Sequence, residues 1–222
     1  MFRRLFPLLT ICLVWGAANA SASYVYDFPG TPGSGVAANQ TNPQPGNATF
    51  GDWQRVGVSA MPTANVFDSV GWQNTSVFDP TSSYVSFNIT ATGGYHLDLS
   101  GTITFDQFRS AGGPTKGRVE IFLNGSTTPF DLANWNPTPS IQGQSLNFTP
   151  TTDADNVTSV EVRFYGWNGG DPGGTMFLDN VTVGITAIVP EPSTWLSALI
   201  PLALIVASSL KWRRSRQAAQ GK

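Results

Sequence analysis

Tyr84-Val85-Ser86-Phe87-Asn88-Ile89-Thr90 sets Val85, Phe87 and Ile89 against Ser86, Asn88 and Thr90. A period of two is the mark of a half-buried strand, because successive side chains of an extended chain point to opposite faces. The alternation returns in Val119, Ile121 and Leu123 against Arg118 and Glu120. It returns again in Val160, Val162 and Phe164 against Glu161, Arg163 and Tyr165. Turn signals separate these runs: Gly93-Gly94, the Gly/Pro stretch from Ala111 to Thr115, and Asn124-Gly125, a tight-hairpin dipeptide. No stretch between Ser21 and Val189 carries an apolar period of 3.6, so helix should be scarce.

Further strands fit around this centre. Tyr24 to Phe28 alternates, and Phe50 to Val58 and Asn65 to Gln73 do so more weakly. Tyr95 to Phe108 is a long β-rich stretch with Gly101 as a bulge or bend. Ser145 to Thr149 and Thr175 to Ile185 complete the set, while Ser126 to Gly143 reads as a loop carrying Trp135. Pro29 to Asn47, rich in Gly, Pro, Asn and Thr, reads as a long surface loop. Short strands divided by turns predict an all-β fold, an antiparallel β-sandwich of jelly-roll-like form.

The two ends of the chain have other work. Arg3 and Arg4, the apolar run Leu5 to Trp15, and Ala18-Asn19-Ala20 have the order of a secretory signal peptide over residues 1–20. Residues 21–188 then form the ectodomain. At the other end, Trp195 to Leu210 is a run of 16 residues without a charge, and Lys211, Arg213, Arg214 and Arg216 follow it. At about 1.5 Å per residue such a helix falls a little short of a hydrocarbon core of about 30 Å. Thr194 and a snorkelling Lys211 supply the missing length, giving a transmembrane helix over about 194–211. The basic stop marks the cytoplasmic side and leaves residues 217–222 as the tail end, so the ectodomain is expected outside the cytoplasm.

Setting the ends aside changes the charge. Between Ser21 and Val189 stand five basic residues, Arg55, Arg109, Lys116, Arg118 and Arg163, against thirteen acidic ones, a net charge of −8. That balance argues against nucleic acid as a partner, since phosphates require basic contacts. It is compatible with divalent cations or neutral sugars, and equally with a surface that is charged for solubility. The single cysteine, Cys12, lies in the leader, which excludes disulfides and thiolate sites from the ectodomain.

Val189-Pro190-Glu191-Pro192, one hydrophobic helix and an Arg-rich end, in that order, resemble the PEP-CTERM sorting signal over residues 189–216. The resemblance implies an exosortase as processing enzyme, Pro190, Glu191 and Pro192 as its recognition element, and delivery to the cell surface or an exopolysaccharide matrix. An ordinary membrane anchor after a proline-rich stalk is the alternative. Within the ectodomain, V-E-V-R-F-Y-G-W and G-T-M-F-L-D-N-V-T-V-G are similar to domains found ahead of such tails. The last strand also resembles the closing strand of carbohydrate-binding-module jelly rolls. Modules of that kind hold a structural calcium between a last-strand Asp, a first-strand acid and backbone carbonyls, which would make Asp179 and Asp27 the ligands. A period-two count from Phe177 puts Asp179 on the face of Val181 and Val183, where a carboxylate needs a partner. The other reading has Asp179 bonded to backbone amides, or at a bulge facing water.

Trp135 in Asn-Trp-Asn and Trp167 beside a Gly-rich loop look loop-borne. Such an indole either anchors its loop or, exposed, stacks on a sugar ring. Catalytic signals are sparse. His96 is the sole histidine, no G-x-S-x-G elbow is present, and no glycine-rich loop leads into a helix. A structural or adhesive envelope role, with glycan binding, is therefore the leading expectation, and a polysaccharide-active enzyme is its rival.

Overall fold

The computed structural model describes residues 20–26, 28, 47–149 and 157–188. The segments expected to be a signal peptide (but for Ala20), a sorting segment over 189–216 with a transmembrane helix, and a tail end over 217–222 lie outside the described residues, as does Asp27. The strands are β1 (Ala20–Tyr26), β2 (Ala48–Phe50), β3 (Gln54–Val56), β4 (Ser59–Ala60), β5 (Phe67–Val70) and β6 (Tyr84–Ala91). They continue with β7 (His96–Arg109), β8 (Lys116–Leu123), β9 (Asp131–Trp135), β10 (Gln142–Asn147), β11 (Ser159–Trp167) and β12 (Thr175–Ile188). Among the described residues there is no helix, as the missing 3.6 period requires.

The strands form two antiparallel sheets. The first runs β10-β7-β12-β5-β4, with β1 joining β12 beyond the end of β5. The second runs β9-β8-β11-β6, with β2 and β3 end to end along β6. From β6 onward the chain crosses between sheets at most connections, and β8-β9 is the hairpin exception. This is the expected β-sandwich, and the crossing pattern gives it a jelly-roll-like character.

Inward side chains of both sheets fill one core. Val85, Phe87 and Ile89 meet Val119, Ile121, Val160, Val162 and Phe164 from the second sheet, and Leu97, Leu99, Ile103 and Phe105 from the first. Trp53, fully buried, has its ring 5.1 Å from Phe67, 4.9 Å from Phe87 and 5.4 Å from Phe164. Each such aromatic pair adds about 0.5–1.5 kcal/mol beyond the area it buries. Without a disulfide, this aromatic centre and the ladders carry the fold. Arg55 on β3 laces the sheets at one edge: it donates to Ser69 Oγ at 3.0 Å and to the Asp68 carbonyl at 2.9 Å, both on β5. Its guanidinium lies 3.7 Å from the Phe67 ring centre, and burial brings its pKa down to about 10 against the opposing pull of Asp68.

Two segments depart from the sequence reading. The stretch from Ser126 to Gly143, expected to be a loop, contains β9, whose inward apolar residues are Ala133 and Trp135, and the first two residues of β10. Trp135 pairs with Gly117, where a Cβ would come within 2.4 Å of the indole, so only glycine leaves the ring its place. The Asn124-Gly125 turn is as expected: both residues have positive φ, 51° and 72°, as a two-residue turn of this hand demands. The second departure is in β12. Met176 and Leu178 face the core, but so do Val181, Val183 and Ile185. The register with β7 shifts between Asp179 and Thr182, with Asn180 at φ 49°. One extra residue inverts the phase, and Asp179 lies outside with Phe177 rather than inside with Val181. The period-two count fails at this bulge.

Candidate functional site

The second sheet turns inward with aliphatic and aromatic residues and outward with a different set. Pairing across its four long strands aligns Tyr84, Tyr165, Arg118 and Asn134 in one row. Ser86, Arg163, Glu120 and Leu132 form the next, and Asn88, Glu161 and Phe122 a third. Trp167, opposite Lys116, closes one end. Residues far apart in sequence thus make one surface.

The two arginines lie over aromatic rings. The Arg118 guanidinium is 4.2 Å from the Phe78 ring centre and 5.7 Å from that of Trp167. Arg163 is 4.1 Å from Phe122 and 4.8 Å from Tyr84. Such stacking is worth about 0.5–2 kcal/mol per pair, depending on desolvation. Arg163 donates through Nε and Nη2 to the two oxygens of Glu161, at 2.8 and 2.7 Å, and this paired carboxylate pushes its pKa further up. Arg118 is held more loosely: Nε donates to Asn134 Oδ1 at 2.9 Å, and Nη1 reaches Glu120 Oε1 only at 3.4 Å. The Glu120 side chain is just 4% exposed, so it supports Arg118 from beneath.

Tyr165 is fully buried between Phe78 (5.1 Å) and Tyr84 (5.3 Å), with Arg163 and Glu120 as the polar neighbours of its hydroxyl. Burial pushes its phenol pKa up. Phe78 is set over this row by its own loop. Gln73 donates to the Asp79 carbonyl at 2.7 Å and accepts from the Asp79 amide at 2.9 Å, which fixes the residue after Phe78. With Pro80 and Thr81 at one end, and Thr127 and Pro129 at the other, the surface becomes a cleft of about 580 Å³. Among the described residues, Glu120 is the sole carboxylate lining it. Flat apolar rings framed by guanidinium donors can take a ring-shaped ligand that has an apolar face and a polar rim.

Of the two tryptophans singled out in the sequence, one stands beside the cleft without lining it. Trp167 is half-buried at the end of β11, its ring 5.0 Å from Phe78. Trp135 does not, and the expectation of a loop-borne, exposed indole is corrected. It is 5% exposed, ends β9, and packs 5.2 Å from Phe105 and 6.3 Å from Phe164, with Nε1 unpaired inside the sandwich. The sequence reading missed Phe78, Tyr84, Arg118, Phe122, Arg163 and Tyr165. Their signal was the placing of aromatic rings at strand positions whose neighbours already fill the core.

The proposed metal ligands lie elsewhere. Asp179 is directly opposite Asp106 on the outer face of the first sheet. Asn180 sits between them, its Nδ2 donating to Asp106 Oδ2 at 2.9 Å and to Asp179 Oδ2 at 3.4 Å, and its amide to Asp179 Oδ1 at 2.8 Å. This is the bulge arrangement facing solvent, not a carboxylate buried in the core. The other residue expected to bind calcium, Asp27, is outside the described residues. Among the described residues no three of His, Cys, Asp and Glu are grouped to hold a metal ion. His96 begins β7, opposite Ile188 and far from the cleft in the ladder.

No protein-family model matches the chain, and no curated protein matches it. Among solved structures, the chain is similar to a CBM4 domain at 16% identity and a TM-score of 0.42, over 65% of this chain and 92% of that one. It is similar to a family 29 carbohydrate-binding module at 11% identity and a TM-score of 0.41, over 74% and 88% of the two chains. It is also similar to a family two carbohydrate esterase from Cellvibrio japonicus at 11% identity and a TM-score of 0.38, over 78% of this chain and 36% of that one.

Proposed function

We propose that the domain is a non-catalytic glycan-binding module, exported and displayed outside the cytoplasm by the segment that follows it. The observation that carries the binding half is the cleft on the outer face of the second sheet, floored by aromatic rings and guanidinium groups. Folded proteins leave most charged residues in water; here two arginines are laid on rings and held there by neighbours. Phe78, Tyr84 and Phe122 supply ring faces, with Trp167 packed against Phe78 at the edge, and Arg118, Arg163 and Thr127 supply polar groups. Glycoside hydrolysis in its usual form needs two carboxylates flanking the bond, and Glu120 stands alone and covered. That supports binding without turnover.

The display half rests on the sequence of the two ends, and makes an exosortase, the membrane and an exopolysaccharide matrix the natural partners. Calorimetric titration with polysaccharide fragments tests the binding. Trp167→Ala should abolish binding while the fold survives, and release of reducing sugar from any fragment would point to an enzyme instead. Mass spectrometry of the mature C-terminus tests the display. Arg216 still attached in exosortase-bearing cells would overturn the processing.

A further inference from the structure

The charges of the domain are not spread evenly. Three of the five basic residues between Ser21 and Val189, Lys116, Arg118 and Arg163, stand on the outward face of β8 and β11. The outward face of the first sheet instead carries Asp98, Asp106 and Asp179. In a domain of net charge −8, this is a cationic island.

Its carboxylates do not cancel it toward solvent. Glu161 is taken up bidentately by Arg163, and the 4%-exposed Glu120 lies beneath Arg118 at a long 3.4 Å. The Arg118 fork bonds protein through Nε and one terminal nitrogen only, and its second terminal nitrogen has no hydrogen bond within the described residues. It is already oriented and partly desolvated by Phe78, which is the state in which a guanidinium binds an oxyanion with least reorganisation.

Building on the glycan-binding reading, we infer that the ligand of this cleft carries an anionic substituent, a ring carboxylate or a sulfate ester, seated at the terminal nitrogen of Arg118 that bonds nothing within the described residues. Lys116, opposite Trp167 at the end of the row, adds attraction along an extended acidic chain. The acidic remainder of the surface repels the same polymer elsewhere, which orients it onto the one face.

The test is affinity electrophoresis and titration of the intact domain against pectate, alginate, glucuronoxylan and chondroitin sulfate. Each is paired with its carboxyl-reduced or desulfated form, and neutral glucan, xylan and mannan are added. At least one acidic member should bind, weaken about tenfold on neutralisation, and weaken further as salt rises. Arg118→Met should reproduce that loss, with Arg118→Lys partly restoring it and circular dichroism unchanged. Which paired form loses affinity tells a carboxylate from a sulfate. Equal affinity for the neutralised forms, or binding to neutral glycans alone, would overturn the anion inference and leave the glycan reading standing. Binding to no member would overturn both.

Discussion

The two outer faces of the sandwich are the instructive comparison. Both sheets present the same kind of residue inward, and their long strands share one core. Outward, the first sheet shows mainly short polar side chains, Asp98, Thr104, Asp106, Thr182 and Thr186, with one stacked ring pair, Phe108 on Phe177, at one end. The second shows Tyr84, Arg118, Phe122, Arg163, Tyr165 and Trp167, large flat groups stacked on one another. Nothing about holding the sandwich together requires that difference. Stability is written on the inner faces, and the proposed binding would use one outer face.

Several substitutions would break or sharpen the contrast. The largest effect belongs to the interior: Trp53→Ala or Trp135→Ala should cost about 3–5 kcal/mol in urea unfolding, because each leaves a ring-sized void. Trp167→Ala should cost less than half as much and remove glycan binding, so the two loop-flanking tryptophans separate by assay. Gly117→Ala drives a methyl into the Trp135 ring and should lose about 1–3 kcal/mol, with Trp135 fluorescence shifting as the ring moves.

A titration test concerns Asp68, which is 5% exposed on β5. Burial raises its pKa above the usual carboxylate value, against the lowering effect of the bond from Thr63. A raised acid binds its proton more tightly when folded, so its contribution is complete below the unfolded pKa. It is lost as pH rises through the folded one. Asp68→Asn should therefore gain stability relative to the parent as pH is raised from about 3 to 7, read as the difference in urea midpoints. A difference that stays flat over that range would show the carboxyl to be unperturbed. The smallest effect is expected at the outer face of the first sheet. Asp179→Asn relieves a like-charge pair with Asp106 and should stabilise by about 0.2–1 kcal/mol at low salt, and by less at high salt.

How much of this could be read beforehand follows from which interactions are local. β6, β8 and β11 were legible because alternation is a property of consecutive residues, and Asn124-Gly125 because a turn of that hand favours those residues. β9 was hidden, since an edge strand with two inward residues has too few apolar positions to show a period. The bulge was hidden because one inserted residue looks like any other until the neighbouring strand is placed. It turned Asp179 from a buried carboxylate into a surface one. Trp135 misled through its asparagine neighbours: they suggested a loop, while the space above Gly117 belongs to a partner strand. The cleft was only half legible. Glu161, Arg163 and Tyr165 were visibly outward, but their rows with Tyr84, Arg118 and Asn134 exist only through pairing across 50 or more residues in some cases.

One further consequence follows from the strand pairing at the end of the chain. Ala20 of β1 is paired with Ala187 of β12, so the described chain enters and leaves at one pole. A load applied at residue 188 and resisted by a polymer in the cleft would run along the axis of β12. The bonds from β12 to β7 and β1 lie across that direction and would be strained together, in shear, rather than opened one at a time. Pulling the two ends of the domain apart would instead peel β1 away from its last pair inward. Were the proposed ligand to hold the cleft, such tension would load those ladders together, while the β1 seam would be the first to open.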